Sequence, residues 1–168
     1  MVPADRRLLT GCAVVAVLAI LAAVVAAMVW WRADSGVGSE SDRVTVEQAA
    51  AAAVGELMTF APGDDQAGRA AVAQRLAGAL AADYLSRGPD VVFPGATASK
   101  ITMTGTVIDA GVSELAAHRA RVLVFVDQSV GLAADTGEPE RLALARWATM
   151  VRDGDRWLLA RLEPVAQR

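Results

Sequence analysis

The chain has 168 residues, a formal net charge of −3 and an apolar fraction of 54%, much of it concentrated in one run near the N-terminus. Setting aside the first 31 residues leaves 137, enough for one compact domain with its own core and too few for a comfortable second. Over residues 32–168 there are 14 Arg or Lys against 18 Asp or Glu, and the cations are scattered singly among carboxylates, which argues against a nucleic-acid-binding surface. The single cysteine, Cys12, leaves the domain without a disulfide or thiolate metal site, and the absence of Asn leaves no N-glycosylation acceptor.

Residues 8–31, LLTGCAVVAVLAILAAVVAAMVWW, contain no charge. As a helix this run is roughly 36 Å long, enough to cross a hydrocarbon core of about 30 Å. Cleavage as a signal peptide requires a shorter apolar region ending at a small-residue site, whereas Met28, Val29, Trp30 and Trp31 continue the run past Ala26 and Ala27. The lipobox-like Leu9-Thr10-Gly11-Cys12 stands too close to Arg6 and Arg7 to follow an apolar region, so Cys12 is expected to pack within a membrane helix. An uncleaved anchor fits best, with Arg6 and Arg7 at one membrane interface and Trp30 and Trp31 at the other. Residues 1–7 then form a cytoplasmic tail and 8–31 a transmembrane helix. Residues 32–43, RADSGVGSESDR, are a flexible linker, and 44–168 an extracytoplasmic domain.

Within the domain, Thr45 and Gln48 have capping-box spacing, and Val46, Ala49, Ala50, Ala53, Val54, Leu57 and Met58 recur at helical intervals. Pro62 and Gly63 stop that helix, and Asp64 or Asp65 can cap a second. The second places Val72, Leu76, Leu80 and Tyr84 on one face, used for core packing, with a break at Gly78. Gly88 and Pro89 end the helical region, and PDVVFPGATAS reads as an extended loop or edge segment.

From Lys100 the period changes to two. Thr102, Thr104 and Thr106 alternate with Ile101, Met103, Gly105 and Val107, followed by a hairpin connection over 111–118. In RARVLVFVDQSV, Val122, Val124 and Val126 share one face and Leu123 and Phe125 the other, as in a central strand covered twice. A polar loop over 131–140, a strand over 141–151, a turn around Gly154 and a last strand from Arg156 complete the chain. Helices followed by an antiparallel meander make an α+β fold, with helices on one face of a curved sheet of about four strands. Such a sheet can enclose a conical pocket.

The order and spacing of VVFPGATASKITMTGTVIDAGV (91–112), RARVLVFVDQSV (119–130) and RWATMVRDGDRWLLARLEPV (146–165), after a single span and Ala-rich helices, resemble the Mce-associated membrane proteins of actinobacterial cell envelopes. The resemblance covers nearly the whole chain. It implies an accessory subunit of the Mce lipid-import machinery, anchored in the cell membrane, with an outer domain of the nuclear transport factor 2-like fold. It brings no catalytic residue, no cofactor and no metal ligand.

Related cone-shaped folds include enzymes that use a pocket His or Asp as general base. Here the only histidine, His118, falls at a hairpin, Asp109 and Asp127 fall near strand ends, and Asp153 and Asp155 flank the turn glycine Gly154. No nucleophile-elbow, P-loop, zinc-protease or dinucleotide fingerprint occurs, and the expectation is a non-enzymatic protein. The sheet's second apolar face, around Leu123 or Val124, then lies beneath a protein partner, either a transporter subunit or another accessory protein. Alternatively the domain closes over a lipid or other apolar small molecule, or helices and loops cover both faces.

Overall fold

The computed structural model describes residues 39–64, 66–132 and 138–165. The expected span over 8–31, with Arg6, Arg7, Cys12, Trp30 and Trp31, lies outside the described residues. Among the described residues no helix is long and apolar enough to cross a membrane.

The Ala-rich segment forms α1, Glu40–Leu57, which starts four residues inside the stretch read as linker. The reason is an earlier capping box, Ser39-x-x-Asp42. The Ser39 hydroxyl accepts from the Asp42 N–H at 3.2 Å, and the Asp42 carboxylate accepts from the Ser39 N–H at 3.2 Å and from its hydroxyl at 2.8 Å. Thr45 is therefore no cap. It lies inside the helix and donates its hydroxyl back to the Ser41 carbonyl at 2.7 Å. Val46, Ala50, Ala53, Val54 and Leu57 are buried, a stripe spaced by threes and fours, and small alanines let the helix lie close to the sheet.

The second helical stretch is two pieces, α2 (Gln66–Ala73) and α3 (Gly78–Arg87), divided just before Gly78 as the sequence suggests. The predicted face holds, for Leu76 and Tyr84 are buried and Val72 and Leu80 pack partly buried against the core. The Asp64 carboxylate does not cap α2. It accepts from the Ala61 N–H at 3.0 Å, while Asp65 lies outside the described residues. After α3 the chain is not extended. Pro89, whose fixed φ suits a first helical position, opens a 3₁₀ turn over Gly88–Val91, and Asp90 accepts from the Thr97 N–H at 3.1 Å to hold the following turns.

Four antiparallel strands follow in chain order: β1 (Ile101–Leu115), β2 (Arg119–Leu132), β3 (Glu140–Asp153) and β4 (Arg156–Pro164). The α+β class and the four-strand meander are as expected. The first connection is shorter than its composition suggests, because Gly111 and Val112 continue the ladder opposite Leu123 and Val122. Register shifts between Val107 and Asp109 and between Val112 and Glu114 let β1 bend while it stays paired. Val122, Val124, Val126, Ala148, Met150 and Leu159 line the inner side, essentially without solvent contact, against α1.

Both sheet edges close onto the helical layer. On β1, Phe60 and Met103 exchange two backbone hydrogen bonds of 2.8 Å each. The Gly105 N–H donates to the Thr59 hydroxyl at 3.2 Å and the Val112 N–H to Glu47 Oε1 at 3.1 Å. On β4, Leu159 donates to the Arg75 carbonyl and accepts from the Ala77 N–H, each at 2.9 Å. At these four positions, groups that an open edge would offer to another chain are used internally.

At the β1 closure a Cβ on Gly105 would stand 2.7 Å from the Met58 Cβ and 3.2 Å from its carbonyl oxygen. Gly105→Ala is therefore expected to destabilise the domain by about 1–3 kcal/mol, read from urea unfolding of the full chain. At the start of α1, the hydrogen bonds from Ser39, with a smaller contribution from Arg152, hold the Asp42 carboxyl below its ordinary value of 3.8. A depressed carboxylate stabilises the fold above its unfolded pKa, and that contribution fades as pH falls through the lowered value. Ser39→Ala should lower the melting temperature at pH 7, and the gap from the parent should narrow as acid titration passes 3.8 and goes below it.

Candidate functional site

Alternation along β2 sends Arg121, Leu123, Phe125 and Asp127 to the sheet's outer side. There Leu123 stands between Gly111 and Trp147, and Phe125 between Asp109 and Ala145. The Arg121 guanidinium lies 4.2 Å from the Trp147 ring centroid and 3.9 Å from Glu114, bridging the apolar centre to a charged rim. Farther along, Arg161 pairs with Glu163 at 3.5 Å. Phe125 is 45% exposed and the neighbouring bulge residue Ile108 is 61% exposed. The expected second cover over β2 is thus absent among the described residues, whose buried core lies on the inner side alone. An apolar centre with aromatic residues and a mixed-charge rim has the composition of a protein contact surface.

The inner side holds a hollow of about 500 Å³ between α3, the 3₁₀ turn, β3 and β4. Leu57, Leu80, Val92, Leu162 and Pro164 give it apolar walls, and Arg146 reaches it from β3. Arg146 occupies an inward register position, opposite the fully buried Val124 and next to Pro164. A guanidinium there interrupts the apolar alternation Leu142, Leu144, Arg146, Ala148, Met150. That break in the alternation is the sequence signal that marks the position. A shallower groove of about 880 Å³ runs along the small residues Ala51, Ala52 and Gly55 of α1, bridged by the Glu56–Arg75 ion pair at 2.6 Å.

The residues weighed for chemistry do not assemble. His118 sits in the exposed turn between β1 and β2, where its carbonyl accepts from the Arg152 N–H at 3.0 Å. Asp109 and Asp127 are not near strand ends as expected but in mid-strand and exposed, because β1 and β2 run farther than their composition suggests. Asp153 and Asp155 flank Gly154, whose φ of +59° makes the turn. Among the described residues no three or more His, Cys, Asp or Glu side chains gather in a way that could hold a metal ion. Burial raises the Tyr84 phenol above its usual range, the Asp64 charge adds to this and Arg69 opposes it, yet Tyr84 packs in the core and lines neither surface.

These features define a class: an α+β domain whose antiparallel meander is pinned at both edges by the helices and their connecting segments, with an outer face that has no second layer among the described residues. No family model matches the chain. Over 109 residues, 65% of this chain and 67% of the relative, it is 31% identical to the Mycobacterium tuberculosis protein named Outer membrane protein Rv1973, and it belongs to that protein's family. It is also 30% identical over 135 residues to Uncharacterized protein Rv1362c of the same species, covering 80% of this chain and 60% of that protein's length. In fold it is similar to an IcmL-like type IV secretion system protein of Legionella pneumophila, with a TM-score of 0.55 at 10% identity, covering 79% of this chain and 98% of the other.

The two sides of β2 should respond differently to the same change. Val124→Ser, which places a hydroxyl in a fully buried apolar site, is expected to cost about 2–4 kcal/mol, whereas Phe125→Ser should cost about 1 kcal/mol or less. Denaturant unfolding of the two variants in parallel reads the difference, and equal losses would show that the outer face is part of the core.

Proposed function

We propose that the chain is a non-enzymatic accessory subunit of an Mce-type lipid importer, anchored in the cell membrane by residues 8–31, with its domain outside the cell. On this reading the domain is of the nuclear transport factor 2-like kind and docks a transporter subunit on the outer face of the sheet. The observation that carries the reading is the exposed Phe125 beside the half-buried Leu123 and Trp147, on a face that no second layer covers among the described residues. Backbone hydrogen bonds at Met103, Gly105 and Val112 of β1 and at Leu159 of β4 interrupt both edge ladders, which favours side-chain packing on this face over β-strand addition. The charge-free run at 8–31 with Trp30 and Trp31 at its end supports the anchor, and the name of the relative Rv1973 supports an envelope location. A second reading, carriage of an apolar small molecule, is favoured by the apolar hollow on the inner side.

The test uses the tagged full chain in host membranes washed with alkaline carbonate, where an uncleaved anchor keeps it in the pellet. Crosslinking from a photoreactive residue at position 125, followed by purification in mild detergent, is expected to capture transporter subunits. Phe125→Glu should reduce their recovery by about tenfold or more, as for loss of an interface anchor. A chain recovered without them, or recovery unaffected by Phe125→Glu, would sink the docking reading.

A further inference from the structure

The inner hollow contains one charge that has no counter-charge among the described residues. Of its charged lining residues, Asp83 pairs with Arg87 at 3.3 Å and Arg161 with Glu163 at 3.5 Å. Among the described residues Arg146 has neither an ion-pair partner nor a side-chain hydrogen-bond partner. It is nonetheless largely screened from solvent, on the same strand face as the buried Ala148 and Met150. A guanidinium held against apolar walls carries a desolvation cost that a bound anion offsets, and its planar fork matches an oxygen pair such as a carboxylate.

The walls set the rest of the ligand. They are Leu57, Leu80, Val91, Val92, Leu162 and Pro164, so the body attached to the anion is apolar. A hollow of about 500 Å³ has room for one long alkyl chain. The geometry points to a binding site for a single-chain amphiphile with a monoanionic carboxylate head, the head on Arg146 and the chain between α3 and β4. This rests on the carriage reading and not on the docking reading, since the hollow and the outer face lie on opposite sides of the sheet.

The full chain, reconstituted in phosphatidylcholine nanodiscs, is photolabelled with a diazirine analogue of palmitate, and the labelled peptides are mapped. Labelling is expected within 79–92 and 160–164 and should be competed by palmitate but not by acetate. Hexadecanol, which keeps the chain and loses the charge, should compete at least about tenfold less well. Arg146→Met keeps the length and apolar stem of the side chain and should reduce labelling of these peptides about tenfold. Arg146→Lys should restore part of it, and Leu80→Trp should block it by filling the hollow. Melting by circular dichroism identifies any variant that fails to fold, and either Arg146→Met or Leu80→Trp in folded form suffices.

No labelling of these peptides under any condition would remove the carriage reading altogether. Labelling competed equally by hexadecanol, or unchanged in folded Arg146→Met, would keep carriage and overturn the role of Arg146. Competition by acetate as strong as by palmitate would overturn the apolar half of the site, and competition only by phosphatidylglycerol placed in the disc would overturn the single-chain assignment.

Discussion

Closure of both sheet edges onto the helical layer is the constraint from which the rest of the domain follows. A four-stranded meander has two edge strands, each with a row of unpaired backbone groups. Here Met103, Gly105 and Val112 of β1 bond to Phe60, Thr59 and Glu47, and Leu159 of β4 bonds to Arg75 and Ala77. Because the two edges are held by segments lying across the same face, the sheet must curve around α1. The register shifts in β1 and the missing side chain at Gly105 are what allow that approach.

Curvature makes the two faces unequal. The inner face is filled near its middle, where Val122, Val124, Val126, Ala148 and Met150 meet the stripe of α1. Toward the end of β3 nearest Pro164, α1 has finished and α3 only partly replaces it, which leaves the hollow at Arg146. The outer face has no such layer among the described residues. Its aromatic and aliphatic side chains are supported by one another and by the Arg121 guanidinium stacked on Trp147.

The family relationship adds a context without assigning a reaction. The relatives are 30–31% identical to this chain over aligned stretches of 109 and 135 residues, while the solved structure that resembles it shares the fold at 10% identity. A fold preserved at that distance carries packing and topology, and says nothing by itself of what is bound.

Much of the architecture could be read from periodicity. The change from a step of three and four to a step of two marks the passage from helices to strands, and the stripe of Val72, Leu76, Leu80 and Tyr84 was assigned to the core. The errors came where a local signal was outweighed. Gly111 looked like a turn but pairs within β1, since the long partner strand extends the ladder past it. Thr45 looked like a cap but lies one turn inside a helix already begun by Ser39 and Asp42. Arg146 breaks the alternation of its strand, but no sequence rule says which side of a strand faces a hollow.

By itself the sequence determined the order of helices and strands, the burial of one face of β2 and the uninterrupted apolar run at 8–31, because these depend on spacing along the chain. Only the tertiary structure decided that Phe125 stays exposed, that both edges are pinned to the helical layer, and that Arg146 faces an apolar hollow without a counter-charge among the described residues. Each of those depends on what residues distant in sequence bring alongside, and alternation along a strand names two faces without saying which one the helices will cover.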